Sequence, residues 1–232
     1  MIKVHSIQSL GTLDGPGVRF IAFLQGCPLR CKCCHNPDTW SMDGGELISP
    51  KELFSKTLRY KEYFGSKGGI TISGGEPLLQ AKELRGLFLL CKEHGINTCL
   101  DTSGCILNDD VLELLEVTDR VLLDIKYTND QDYVANVGCH MEPVLRFLQA
   151  LQDRGIATTL RQVIIPSLND TEENVKRLKE IANTYSVVDK VELLAFHKMC
   201  QSKYDKMNVE FPLKDIPETS FEDLDKLKAI LG

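Results

Sequence analysis

Six short aliphatic runs, each followed by residues with helical spacing, set the strongest limit on the fold of this 232-residue chain. Val18–Leu24, Gly69–Ser73, Ile96–Leu100, Val121–Ile125, Thr158–Ile165 and Lys190–Phe196 read as strands, because they are apolar and bounded by glycine, proline or polar residues. Between them apolar residues recur three and four apart. They do so at Leu84, Leu87, Phe88 and Cys91, at Val111, Leu114 and Leu115, at Val144, Phe147, Leu148 and Leu151, and at Leu178, Ile181, Ala182 and Tyr185. That spacing collects side chains on one helix face. Ser49-Pro50-Lys51-Glu52 opens an earlier helix with a capping serine, a first-turn proline and a capping-box glutamate. Asp170 with Glu173 is expected to cap the fourth of the spaced stretches. A loop holding Pro212 and Pro217 leads to a last helix carrying Leu224, Leu227 and Leu231.

No hairpin turn joins these strands, which predicts parallel pairing with right-handed crossovers. A doubly wound open sheet and a closed or partial barrel both satisfy that α/β pattern. No linker or low-complexity segment interrupts it. One domain over residues 1–232 is therefore expected, with 1–17 as an N-terminal extension and 198–232 as a C-terminal loop and helix. The net charge of −6 argues against a broad basic face for nucleic acid. No run reaches the roughly 18 apolar residues of a membrane span. The opening Met1-Ile2-Lys3-Val4-His5-Ser6 lacks the apolar core of a signal peptide. With nine cysteines, an odd count, a reducing cytoplasm is the expected location.

The polar residues gather at one end of the strands. The first strand runs into Gly26-Cys27-Pro28-Leu29-Arg30-Cys31-Lys32-Cys33-Cys34-His35-Asn36, and the second into Ser73-Gly74-Gly75-Glu76-Pro77. The third ends at Asp101-Thr102-Ser103-Gly104 and the fourth at Asp124 and Lys126; the fifth carries Arg161 and the sixth reaches His197. In a barrel of parallel strands that rim is where catalytic groups collect. Each feature alone has a plainer explanation. Gly74 and Gly75 suit a tight turn, Asp101 and Asp124 a cap, Lys126 a solvated charge and His197 a satisfied structural histidine. Equally, two glycines let a ligand approach the backbone, and the Glu76 carboxylate suits an ammonium group.

Cys27-x3-Cys31-x2-Cys34 offers three thiolates within one compact loop. A [4Fe-4S] cubane held by three thiolates keeps one iron open. A structural zinc ion wants four protein ligands, and His35 is the nearest fourth. Because His35 adjoins Cys34, the two poorly reach one tetrahedral ion together, and the cluster reading is preferred. An electron carrier or a zinc-stabilised binding module is the non-catalytic alternative. Cys33 as a ligand would shorten the last gap to one residue. Cys91, Cys99, Cys105, Cys139 and Cys200 are scattered and read as small buried apolar groups.

The cysteine spacing, with Gly-Gly-Glu-Pro after the second strand, resembles the radical S-adenosylmethionine (SAM) superfamily. Asp14-Gly15-Pro16-Gly17-Val18-Arg19-Phe20, Cys34-His35-Asn36, Cys99-Leu100-Asp101-Thr102, Leu123-Asp124-Ile125-Lys126 and Leu194-Ala195-Phe196-His197 extend the likeness over nearly the whole chain. They resemble its glycyl-radical-enzyme activases, those acting on pyruvate formate-lyase above all. The resemblance implies a partial (β/α)6 barrel, a [4Fe-4S] cluster on Cys27, Cys31 and Cys34, and SAM as cosubstrate. It implies Gly74, Gly75 and Glu76 at the methionine end of SAM with Asp101 near the amino group. Asp124, Ile125 and Lys126 would serve the ribose and carboxylate, His197 the nucleoside, and the backbone of Cys33 to His35 the adenine. It implies a monovalent-cation site at Asp101, Thr102 and Asp124, and a peptide pocket including Asp14 and Arg161. The implied partners are pyruvate formate-lyase and an electron donor such as reduced flavodoxin or ferredoxin, with a monomeric activase. Dehydratase activases are the alternative branch. Many of those carry a cysteine-rich insert after the first motif, and here Asn36 to Leu90 holds no cysteine. The chain departs from the family at Cys33, where an aromatic residue is usual.

Overall fold

All six expected strands form in the computed structural model, which describes Met1–Gly232. They are β2 (Arg19–Leu24), β4 (Gly69–Gly74), β5 (Asn97–Thr102), β6 (Arg120–Asp124), β7 (Ala157–Ile164) and β8 (Val188–Ala195). Each pairs in parallel with the next. Two unexpected strands, β1 (Ile2–Gly11) and β3 (Glu46–Ile48), extend the sheet in antiparallel fashion. The order is β3-β1-β2-β4-β5-β6-β7-β8, so the sheet has two edges and does not close. Residues 1–17 are thus largely sheet rather than an appendage.

The period of two along each strand separates core from site. Ile70 and Ile72, Leu100, Val121 and Leu123, and Leu160 and Ile164 join the hydrophobic core. Their neighbours Ser73, Asp101, Asp124 and Arg161 face a cavity on the other side. The core is completed by α1 (Pro50–Leu58), α2 (Ala81–Glu93), α3 (Asp109–Leu115), α5 (Glu142–Arg154), α6 (Glu172–Thr184) and α8 (Phe221–Leu231). Ser49 caps α1 by accepting from the Glu52 amide, as expected. At α6 the cap is Thr171, which accepts from Asn174 N; Asp170 instead accepts from Ser167 N, tightening the preceding turn.

Two further helices, α4 (Asp130–Val137) and α7 (Gln201–Lys206), lie in stretches without a readable apolar period. α7 buries only Tyr204. It nevertheless builds a second, smaller apolar cluster of Cys33, Ile165, Phe196, Cys200, Tyr204, Phe211 and Leu213 against the cysteine loop. Cys91, Cys99 and Cys200 are buried, whereas Cys105 and Cys139 are half-buried. No helix is long and apolar enough to cross a membrane.

Candidate functional site

The C-terminal ends of the parallel strands surround a cavity of about 220 Å³. Cys27, Cys31, Cys33, Cys34, His35, Gly74, Gly75, Glu76, Asp101, Thr102, Asp124, Lys126, Arg161 and Asp14 all line it, in company with Ser73 and Ser103. Two expected residues stand apart. Ile125 is fully buried in the core, with its amide donating to Arg161 O at 2.9 Å. His197 lies in an adjoining cleft, not in the cavity.

The cysteine loop is held from both flanks. Cys34 O accepts from the Tyr204 hydroxyl at 3.1 Å, and the Lys203 ammonium donates to Asn36 Oδ1 and Asp38 Oδ1. On the other side the Arg30 and Lys32 amides donate to Val137 O and Asn136 O of α4. Burial pushes the Cys27 thiol up to about 11, and it raises Cys31 and Cys34 as well. Thiolates here need positive charge, which metal ligation supplies and Lys126 reinforces. No three His, Cys, Asp or Glu side chains converge on one point in the manner of a single-ion site. The His35 ring is engaged elsewhere, stacked on His197 at 4.3 Å between centroids with Nε2 3.2 Å from His197 O. Burial, with His197 beside it, pushes the His35 imidazole down to about 4, so the ring is neutral. With His35 so engaged, the Cys27, Cys31 and Cys34 thiols fit a multi-iron cluster better than zinc. Cys33 belongs to the apolar cluster under α7.

The glycines at the end of β4 answer a packing demand. A Cβ on Gly75 would stand 2.1 Å from Gly26 O, and one on Gly74 would stand 2.3 Å from Leu24 N. Both residues therefore let β4 meet the start of the cysteine loop, where Gly75 N donates to Leu24 O and Glu76 N to Gly26 O. Glu76 is equally committed. Its carboxylate accepts from Thr102 Oγ1 at 2.5 Å, from Leu78 N at 3.1 Å, and from the amide and hydroxyl of Ser103. These four donors fill its lone-pair positions. Burial raises the Glu76 carboxyl while the Ser103 and Thr102 bonds oppose the rise. Glu76 thus ties the ends of β4 and β5 together.

Across the cavity runs a charge-alternating chain. Asp101 accepts from Ser73 Oγ at 2.7 Å and from Arg161 Nη2; Arg161 Nε donates to Asp124 Oδ1 at 3.1 Å; Lys126 Nζ donates to Asp124 Oδ2 at 2.6 Å. Two carboxylates thereby meet two cations on adjacent strands, in a register that places Asp124 directly beside Arg161. Burial pushes Asp101 up despite Arg161. For Asp124 burial acts in the same sense, but Lys126 and Arg161 together outweigh it and hold the carboxyl below its usual range. The Asp101, Thr102 and Asp124 oxygens proposed for a cation are thus already bonded within the protein. Ser73, Ser103, Tyr204 and Lys203 were not singled out from sequence. The two serines stand inside quoted motifs, whereas Tyr204 and Lys203 carry no local signal beyond a six-residue helix.

Comparison with known proteins agrees with this geometry. Residues 21–178 match the radical SAM superfamily model. The chain is 44% identical over 232 residues to the pyruvate formate-lyase-activating enzyme of Clostridium pasteurianum, covering all of this chain and 97% of that one. It is 39% identical over 232 residues to the pyruvate formate-lyase 1-activating enzyme of Escherichia coli K12, covering 99% and 94%. Among solved structures, Streptococcus suis SuiB bound to S-adenosylmethionine superposes with a TM-score of 0.67 at 16% identity, over 88% of this chain and 44% of that one. That last likeness concerns the fold alone. The chain belongs to the radical SAM superfamily and, within it, to the pyruvate formate-lyase-activating enzymes.

Proposed function

We propose that this chain, acting as one radical SAM domain over residues 1–232, generates a glycyl radical on pyruvate formate-lyase, with a [4Fe-4S] cluster on Cys27, Cys31 and Cys34. The observation that carries the reading is a single cavity lined by those three thiols and by the ion-paired Asp101–Arg161–Asp124–Lys126 chain. Full-length identity of 44% to an activating enzyme supports the assignment of the partner. Reductive cleavage of SAM at such a cluster supplies the 5′-deoxyadenosyl radical that takes the hydrogen atom from glycine.

The protein's own part is to hold and to shield. Lys126, kept charged by Asp124, presents an ammonium to the carboxylate of SAM. Gly74 and Gly75, whose backbone lines the cavity, and Asp101 beside them would meet its amino group. His35 and the backbone from Cys33 form the apolar side, where adenine fits, and His197 backs the His35 ring. Asp14 and Arg161 border the opening to the adjoining cleft and are positioned to meet peptide. Substrate seated at the mouth of the cavity would exclude water from the radical. The electron donor is a reduced flavodoxin or ferredoxin, and the activase works as a monomer in the cytoplasm.

The test is direct. The reconstituted protein is mixed anaerobically with SAM, a reductant and pyruvate formate-lyase, and glycyl radical is sought by electron paramagnetic resonance. A doublet on pyruvate formate-lyase is expected. A radical formed only on a dehydratase would overturn the assignment of partner, and failure to cleave SAM would overturn the activity.

A further inference from the structure

We infer that Arg19 and Thr71, buried below the cavity, are positioning residues that fix the Thr12–Pro16 segment as one wall of the substrate's entry cleft. The identity of that substrate rests on the proposed function. The cleft, of about 1230 Å³, is lined on one side by Thr12–Pro16 and on another by β8. Asp14, His35, Arg161, Val163 and Leu194 line both cleft and cavity, so the two communicate. Leu13, at the mouth, is 85% exposed, a large apolar side chain of the kind a partner covers.

Arg19 is fully buried and has no carboxylate partner. Taking a guanidinium out of water is costly unless every donor is satisfied. Here the acceptors are all neutral and come from three separate segments. Nη1 donates to Pro16 O, Lys67 O and, at 2.8 Å, Asn97 Oδ1; Nη2 donates to Ile70 O at 2.5 Å and to Asn97 O; Nε donates to Thr71 Oγ1 at 2.9 Å. Arginine cannot accept, and a hydroxyl has one proton. The Arg19 bond therefore occupies a lone pair of Thr71 and leaves its proton for Asp14 O, which accepts it at 2.7 Å. The backbone of Asp14 is pinned from beneath while its side chain lines cleft and cavity. Gly17, at φ +72°, closes the segment so tightly that a Cβ would stand 2.6 Å from Gly68 N.

A floor staple alone would need only Pro16, Lys67 and Asn97. The bond from Thr71 to Asp14 is the additional element, and it reaches toward the chemistry. Thr71→Val removes that hydroxyl at similar size, and Thr71→Ser restores it. Thr71→Val also takes away the acceptor of Arg19 Nε, and in the cluster-loaded enzyme we expect it to raise KM for pyruvate formate-lyase about tenfold, with kcat and substrate-free SAM cleavage held within about twofold. Thr71→Ser should return KM to the wild-type value. An unchanged KM, or an equal fall in activation and in substrate-free SAM cleavage, would overturn the inference.

Hydrogen exchange separates this result from the proposed function. Amides 12–17 should exchange faster in Thr71→Val than in wild type, by a larger factor than the amides of β4 and β5, to which Arg19 keeps its other bonds. If wild-type protein activates no pyruvate formate-lyase, the proposed function fails while the exchange comparison still decides the tether. Unchanged exchange at residues 12–17 sinks it.

Discussion

The two ends of the parallel strands treat polar groups in opposite ways. At the N-terminal end, Arg19 spends its donors on carbonyl, amide and hydroxyl oxygens, and Asp119 accepts from Thr98 N at 2.8 Å, Thr98 Oγ1 and Lys92 Nζ. Nothing there is left open. At the C-terminal rim, the buried Glu76 and Arg161 and the half-buried Asp101, Asp124 and Lys126 surround a cavity, and loss of water pushes the Glu76 and Asp101 carboxyls upward. His197 Nδ1, beside the rim, is buried without any partner. Desolvated charge in a cleft is the mark of a site prepared for a further group, whereas a fully satisfied floor serves stability. Thr71 is where the two ends join.

The largest effect that tests this contrast lies at the rim. Cys31→Ala should reduce cluster iron and sulfide to background and abolish SAM cleavage, while the melting temperature of the unloaded protein barely moves. Cys33→Ala should keep its iron, because that side chain packs under α7 among Phe196, Tyr204 and Phe211. Iron lost equally from both variants would show that the loop is a packing unit and the contrast false.

The next effect separates the two buried arginines. Arg161→Leu leaves Asp101 and Asp124 buried beside one another with Lys126 as the remaining cation, and should cost about 3–5 kcal/mol in urea unfolding. Arg19→Met strands only neutral acceptors and should cost about 1–3 kcal/mol. Lowering the pH through the carboxylate range protonates the two aspartates, so it should relieve the Arg161 variant and not the Arg19 variant. If acid rescued both or neither, the rim's instability would not be one of charge.

What was legible in the sequence follows from how local each signal is. The strands at Arg19–Leu24 and Arg120–Asp124 announce themselves by the unbroken apolar runs Phe20–Leu24 and Val121–Leu123, and the three thiols by spacing within one loop. β1 escaped because its pairing with β2 shifts register between Val4 and Ser6 and again between Gln8 and Gly11, which breaks the period of two. α7 escaped because six residues with one buried side chain show no period. At the site, Glu76 read as a free carboxylate. Its partners Thr102 and Ser103 lie on the next strand's end, and only the sheet brings them within reach. The pairing of Arg161 with both Asp101 and Asp124 likewise depends on register between strands, which no single stretch of sequence encodes. Residue types at the rim were readable; which of them were already spent was not.

The smallest predicted effect belongs to the floor. Burial alone would raise the Asp119 carboxyl, but the Lys92 ammonium and the Thr98 amide outweigh it and hold the group below its usual range. A depressed carboxyl stabilises the fold above the unfolded value, about 3.9, and that stability is lost as the pH falls through the folded value. Lys92 is 42% exposed at its side chain, so solvent screens the pair and the loss in Asp119→Asn should be about 1 kcal/mol or less at pH 7. Protonated aspartate resembles asparagine, so the unfolding curves of variant and wild type should converge as the pH falls through the folded value. A gap that stayed constant with pH would make the Thr98 bonds, rather than the charge, the source of the floor's stability. A gap that widened in acid would mean that the floor, like the rim, holds a carboxyl against its preference, and the contrast between the two ends would fail.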